Sequence, residues 1–296
     1  MLRGLSAFPL TPVINNKVDE PAFVHLIDNL VTAGVDSIGA VGSTGSYAYL
    51  TRDDRRRVTE LAVQNSGGIP VLVSIGAIRL DDVLAIADDA QQAGVRAVMM
   101  APVSYQRLTA EEVFTLYETV TRHLSVPLCI YDNPSTTGFA FRDDLLIEIA
   151  ALPNVRSIKL SAVSTDPLKG KERIEDLRAH IPASVTIGIS GDWQAATGFA
   201  AGCDTWYSVI GGLFPQASLA ITRAALAGNA TLAGELSDNL EPLWQLFRIH
   251  GSLRVMAAAA EILGAVGPSC LPFPLHPLAG EEKEQLHTVL KATGLV

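Results

Sequence analysis

The sequence predicts an α/β protein, a (β/α)8 TIM barrel with a C-terminal helical extension. Three features carry that expectation: short apolar runs alternate with longer amphipathic ones, the alternation repeats eight times, and the runs are apolar on both faces. Alternating β and α segments make a parallel sheet covered by helices. The candidate strands are Leu5 to Leu10, Asp36 to Val41, Pro70 to Ile75, Ala97 to Ala101, Pro127 to Tyr131, Val155 to Lys159, Val185 to Ile189 and Thr205 to Val209. Runs such as Val71-Leu72-Val73 and Ala97-Val98-Met99-Met100 have no polar face, as befits strands buried between a barrel interior and its helices. An open doubly wound sheet would read similarly, but eight tandem units favour closure.

Helix boundaries follow from local chemistry. Asp19-Glu20-Pro21 opens the first helix, and Thr51, Asp81 and Thr109 open others. Gly34, Gly94 and Gly202 close helices just before strands, in the repeated pattern Ala-Gly-Val or Ala-Gly-Cys, where a left-handed cap is easiest without a Cβ. After about Gly228 the strand signal stops, and helical stretches at Thr231 to His250, Leu253 to Leu263 and Glu281 to Thr293 follow. The expected organisation is a catalytic barrel over residues 1–228 and a helical subdomain over 229–296, with the Pro-rich connector Pro268 to Pro277 wrapping the surface.

Composition narrows the function. With 48% hydrophobic residues among 296, the chain can bury a large core, and its 18% charged residues fall below the roughly 25% usual in soluble proteins. Surface must therefore be apolar or buried against other copies, which points to a homo-oligomer. A net charge of −9 with no Lys or Arg run argues against nucleic acid. The first ten residues are too short an apolar run for a signal peptide or membrane span, so a cytoplasmic location is expected. Cys129, Cys203 and Cys270 are odd in number and set in apolar surroundings, which suits reduced core thiols. The six histidines lack metal-ligand spacing, and the doublets Asp53-Asp54, Asp81-Asp82 and Asp143-Asp144 fall in first helical turns, where carboxylates meet the positive end of the helix dipole. Neither metal nor organic cofactor is expected.

In such barrels catalytic residues sit where strands end at the C-terminal face. The second strand ends in Gly42-Ser43-Thr44-Gly45, the fifth in Tyr131 before Asp132-Asn133-Pro134, and the sixth in Lys159. An ammonium aimed into the mouth among apolar neighbours loses solvation, its pKa falls, and the free amine can attack a ketone near neutral pH. The bland alternative is a lysine paired with a carboxylate at the rim. The glycine loop offers backbone N–H groups and two hydroxyls to a small carboxylate, although a Gly-x-x-Gly turn alone is more often only a tight turn. Tyr131 could shuttle protons beside a Schiff-base lysine, or it could be a core aromatic with its hydroxyl bonded. Gly188 to Asp192 and Gly211-Gly212 follow the last two strands, where many barrels bind phosphate, but the same glycines, Gly191 among them, could let a substrate approach.

With Gly42-Ser43-Thr44-Gly45, Tyr131-Asp132-Asn133-Pro134 and Ser157-Ile158-Lys159 in place, the chain resembles the dihydrodipicolinate synthase/N-acetylneuraminate lyase family. The likeness extends to Ala7-Phe8-Pro9-Leu10-Thr11-Pro12, to Ser190-Gly191-Asp192 and to the helical C-terminal region. It implies a class I aldolase-type lyase in which Lys159 forms an imine with pyruvate or a related 2-oxo acid, and the enamine adds to an aldehyde or is released by cleavage. It also implies Thr44 on the substrate carboxylate, with Gly42 and Gly45 shaping that loop. Ser43 and Tyr131 would form a proton relay completed by Tyr105 from a neighbouring subunit of a tetramer, and Tyr207 would lie near the imine.

Departures from the family pattern bear on the substrate. Ser46 stands where a Glu usually follows the glycine turn, Asp132 replaces a common Asn, and Leu160 follows the lysine in place of an acidic residue. Thr136 occupies the place of an Arg that meets the carboxylate of the aldehyde partner in dihydrodipicolinate synthases, and a hydroxyl there removes a charge-assisted contact. This favours another 2-oxo acid lyase over the lysine-biosynthetic activity proper. A barrel that binds a small acid without turnover, and a phosphate-binding enzyme using Gly188 to Gly191, remain as alternatives from other classes.

Overall fold

A computed structural model describes residues 2–296, and in it eight parallel strands close into a barrel. The strands, with those of a small hairpin, are β1 (Gly4–Ala7), β2 (Val13–Ile14), β3 (Lys17–Val18), β4 (Ser37–Ala40), β5 (Val71–Ser74), β6 (Ala97–Met100), β7 (Leu128–Tyr131), β8 (Val155–Leu160), β9 (Thr186–Ile189) and β10 (Thr205–Ser208). Around the barrel the order is β1-β10-β9-β8-β7-β6-β5-β4, and helices join consecutive strands. All eight expected strands are present. The first stops at Ala7 instead of Leu10, because Pro9 has no N–H to continue a ladder.

Three local features differ from expectation. The antiparallel pair β2 and β3 turns through Asn15 (φ 52°) and Asn16 (φ 59°), positive at both central residues as a type I′ hairpin requires. The stretch Thr231 to His250 is two helices, Ala230–Asn239 and Glu241–His250, because Pro242 in the first turn of the second cannot donate back into the first. The third barrel helix begins at Leu80, with Asp81 inside its first turn. Thr51 and Thr109 do open helices, each closing a reciprocal capping box with Asp54 and Glu112. Gly34 and Gly94 take left-handed φ of 74° and 86° after their helices.

Alternation along each strand divides the apolar side chains into two layers. Leu128, Ile130, Ile158, Ile187 and Trp206 face outward into the core shared with the helices. Phe8, Leu72, Ala97, Met99, Cys129, Tyr131 and Tyr207 form a separate inner cluster. Register sets Cys129 beside Ser157, Tyr131 beside Lys159, and Lys159 beside Gly188, so these residues share the barrel interior in successive layers. Glycines make room for the inner rings: a Cβ on Gly39 would lie 2.3 Å from Cζ of Phe8, and one on Gly188 would lie 2.6 Å from Cε2 of Tyr207. The Tyr207 hydroxyl then reaches Ser157 Oγ at 2.6 Å and receives the Cys129 thiol at 3.5 Å, closing the floor beneath Lys159. All three cysteines are free and buried.

At the other end of the chain, Ala257 and Ala260 of helix Ser252–Ile262, with Val266, Cys270 and Leu271, pack on Leu10 and Leu26 and cover the loop that follows β1. No helix among the described residues is long and apolar enough to cross a membrane. Gly188→Ala should destabilise the fold by about 1–3 kcal/mol through overpacking, because the new methyl meets both the Tyr207 ring and the Thr205 carbonyl. Chemical denaturation of the variant checks this, and an unchanged midpoint would show that the floor is not tightly filled.

Candidate active site

Lys159 lies next to the end of β8, inward-facing between outward-facing Ile158 and Leu160, and is only 4% exposed. Its Nζ makes no hydrogen bond or ion pair among the described residues. Instead it stands 3.9 Å from the ring centre of Tyr131, 4.1 Å from that of Phe8 and 5.5 Å from that of Tyr207. Burial pulls its pKa down from 10.5 to about 7, and the opposing pulls of Cys129 and Asp192 are smaller. The rim ion pair considered from the sequence is not formed. A large fraction of this amine is therefore neutral at physiological pH.

Tyr131 ends β7 in the register position next to Lys159. Its hydroxyl accepts a hydrogen bond from Asn133 Nδ2 at 3.0 Å. Burial pushes the phenol up to about 12, with the neighbouring Ser43 hydroxyl pulling the other way, so Tyr131 holds its proton at neutral pH. The following turn is fixed by Asp132, whose carboxylate accepts from Ser161 Oγ at 3.1 Å and from the Phe141 N–H at 3.4 Å. That carboxyl is raised above its ordinary value, chiefly by burial.

The loop after β4 is strained at both ends. Val41 has φ 43° and Ser46 φ 54°, and a β-branched residue in the left-handed region is a costly arrangement that clusters at functional sites. Between them the N–H groups of Ser43, Thr44 and Gly45 enter no hydrogen bond among the described residues, while the Ser43 carbonyl accepts from Ser46 and the Gly42 carbonyl from Tyr47. Three successive free N–H groups form a concavity for an anion such as a carboxylate. Gly45 is fixed by crowding, since a Cβ there would lie 2.9 Å from Thr11 Oγ1. Gly42 has a different job from the one its motif implied: a Cβ there would lie 2.7 Å from the Phe8 ring. Thr44 is 5% exposed and lines a small cavity together with Phe8, Leu10, Leu26 and Met256.

The remaining expected residues are spread more widely. Tyr207 places its ring 5.5 Å from Lys159 Nζ, but its hydroxyl is turned down to Ser157 and Cys129. Thr136 is exposed on the short helix Pro134–Thr137, with its hydroxyl facing the Asn133 carbonyl at 3.5 Å. Gly191 is buried against the Ser161 carbonyl. Tyr105 is 89% exposed in the loop after β6. Two contributors were not singled out from the sequence. Phe8 belongs to the opening motif, and its signal in the sequence is Gly39 on the neighbouring strand and Gly42 just after it. Asp192 accepts from Trp206 Nε1 at 2.8 Å, Ile210 N at 3.0 Å and Val209 N at 3.1 Å, tying the ends of β9 and β10 together. Burial raises its carboxyl to about 6. Its motif is thus a clamp between strand ends. Among the described residues no His, Cys, Asp and Glu cluster could hold a metal ion.

Comparison with known proteins agrees with this geometry. The profile of the Dihydrodipicolinate synthetase family matches residues 1–293. A dihydrodipicolinate synthase from Agrobacterium tumefaciens superimposes with a TM-score of 0.94 at 44% identity, over 99% of this chain and 98% of that one. A 4-hydroxy-tetrahydrodipicolinate synthase from Phenylobacterium zucineum is 28% identical over all of this chain and 99% of its own length. The fold recurs at 23% identity and a TM-score of 0.92 in an Acinetobacter baumannii dihydrodipicolinate synthase complexed with pyruvate. The chain belongs to the dihydrodipicolinate synthetase family, the pyruvate-dependent lyases that work through a lysine Schiff base.

Proposed function

We propose that Lys159 is the imine-forming residue and that the enzyme joins or cleaves a pyruvate-derived enamine and a neutral aldehyde. The observation that carries this reading is an inward-facing amine with no ion-pair partner and a pKa near its working range. The free amine adds to C2 of the 2-oxo acid, whose carboxylate rests on the N–H groups of Ser43, Thr44 and Gly45. Tyr131, protonated at neutral pH, gives its proton to the departing hydroxyl, and water leaves. The Tyr131 phenolate then takes a C3 proton from the iminium to give the enamine, which adds to the aldehyde carbonyl as the new alkoxide takes that proton back, and water hydrolyses the product imine to free the lysine; cleavage runs the same steps backwards. Ser43 lies beside Tyr131 and passes protons with it.

Tyr105, exposed in one chain, completes this relay from a neighbouring copy in a homotetramer. Its exposure, together with that of Tyr49 and Ile78 at the ends of adjacent strands, supports an apolar face for such a contact. Gly191 and Thr136 border the far end of the substrate. Thr136 offers a hydroxyl where a carboxylate-bearing aldehyde would need a guanidinium, so a hydroxylated, uncharged partner fits better than aspartate semialdehyde. The lysine-biosynthetic activity proper is the second reading, favoured by the names of the relatives. A cytoplasmic location and a division into a barrel over 1–228 and a helical subdomain over 229–296 belong to the same proposal.

Treatment with pyruvate and borohydride should give a stable adduct on Lys159, detected by peptide mass spectrometry. No adduct across a panel of 2-oxo acids, with ligand-induced stabilisation retained, would identify a binding barrel without turnover. Condensation rates with aspartate semialdehyde and with hydroxylated aldehydes then decide the substrate. Faster turnover of aspartate semialdehyde would show that the guanidinium was dispensable.

The same lysine should cost stability. Its folded pKa of about 7 lies below the unfolded 10.5, so the unfolded chain binds the extra proton between those values. Stability linked to this group therefore rises as pH climbs from about 7 towards 10.5, and the penalty is greatest below pH 7. Lys159→Met should abolish the adduct and raise the thermal midpoint by several degrees at pH 6, with the gain shrinking at pH 9. A variant less stable than the parent at both pH values would contradict this.

A further inference from the structure

Phe8 sits at the end of the first barrel strand with its ring centre 4.1 Å from the reacting nitrogen, as near as the ring of Tyr131 at 3.9 Å. Unlike Tyr131 and Tyr207 it has no hydroxyl, so it can neither relay a proton nor bond a substrate. A leucine would fill space without an aromatic face. Yet the chain gives up two side chains to seat this ring: a Cβ on Gly39 would meet Cζ at 2.3 Å, and one on Gly42 would meet Cδ1 at 2.7 Å. The backbone is pinned as well. The Phe8 N–H donates to Ser208 O at 2.9 Å, and a Cβ on Gly212 would lie 2.1 Å from the Phe8 carbonyl oxygen. The ring meets Tyr207 edge-on, with centroids 6.1 Å apart and planes at 71°, which holds its orientation towards Lys159.

The chemistry requires a cation at this nitrogen. When the amine adds to the ketone and water departs, the product is an iminium whose positive charge resides on the lysine nitrogen. That charge must persist until a C3 proton is lost and the electron pair of the C–H bond moves into the enamine. Among the described residues no carboxylate lies within ion-pair distance of Nζ. The oxygens of Asp192 are occupied by Trp206, Val209 and Ile210, and those of Asp132 by Ser161 and Phe141. A carboxylate at contact distance would in any case hold the resting amine protonated and spoil the nucleophile. Ring faces attract a cation more weakly, by their quadrupoles, over distances up to roughly 6 Å.

We propose that the ring faces around Lys159 stand in for a counter-ion to the iminium, and that Phe8 acts on the reaction through its π-face alone. The inference rests on the reading of Lys159 as the imine-forming residue. Phe8 is then a catalytic residue, since its ring touches the reacting atom. The arrangement reconciles two needs of one atom: the amine is left unpaired to attack, and the cation it becomes is still stabilised.

The test uses the full-length enzyme with Phe8 replaced by phenylalanines carrying one, two and three ring fluorines, and by cyclohexylalanine. Fluorines drain the ring face with little change of shape, and cyclohexylalanine keeps the volume without a π-system. The readout is exchange of the pyruvate methyl protons for deuterium in D2O, followed by NMR without any aldehyde, because it requires only iminium and enamine. The logarithm of the exchange rate should fall in even steps with fluorine number, to a loss on the order of tenfold for the trifluoro ring. Cyclohexylalanine should be at least as slow, with all variants unfolding near the parent temperature. A flat fluorine series in an enzyme whose parent forms the borohydride adduct on Lys159 overturns the proposal, including the case where only cyclohexylalanine is slow. Absence of that adduct in the parent removes the Lys159 reading and this inference with it.

Discussion

The structure depends on one uncompensated amine. A lysine enclosed in a barrel with no carboxylate in reach has two ways to lower its energy, to be hydrated or to lose its proton, and the inner layer around Lys159 leaves mainly the second. Phe8, Tyr131 and Tyr207 stand where water would otherwise solvate an ammonium, and Asp192, the carboxylate that acts on the amine, spends its oxygens on the ends of β9 and β10. Reactivity near neutral pH follows from that arrangement, and so does a penalty in stability.

The packing of the barrel follows from the same requirement. Large rings in the interior need small partners on or just after the adjacent strands, which is why Gly39 and Gly42 accompany Phe8, and Gly188 accompanies Tyr207. The hydroxyls of Ser157 and Tyr207 satisfy each other at the floor, so the polar atoms below the lysine do not compete for its proton. Strain is concentrated on the opposite side of the mouth. Val41 and Ser46 hold left-handed conformations that bracket three N–H groups without partners among the described residues, a local cost that the surrounding packing sustains.

Much of this was legible in the chain. The strands declared themselves because a barrel strand is apolar on both faces, and Lys159 stood out because a charge at the end of such a run has nowhere polar to go. The hairpin β2–β3 was hidden, since two-residue strands carry no periodicity and only Asn15-Asn16 marks the turn. The break near Leu240 was written in Pro242 but overridden by a continuous amphipathic pattern. Phe8 could not be placed because its meaning depends on glycines some thirty residues away on the adjacent strand. Asp192 read as part of an anion-binding turn, and only the tertiary pairing with Trp206 turns it into a clamp. The role proposed for Tyr105 needs a second copy, so nothing within one chain assigns its exposed ring.

The proposed choice of partner molecule rests on the hydroxyl of exposed Thr136 and is separable from the proposed chemistry at the lysine, which belongs to the barrel interior. Titration of that single group is therefore the most direct measurement: Lys159 followed by 13C NMR of the enzyme labelled at lysine Cε, with Lys159→Met to assign the signal. The account predicts a midpoint near 7 in the unliganded protein. A midpoint close to the ordinary value of 10.5 would mean that the amine is solvated or paired after all, and would contradict it.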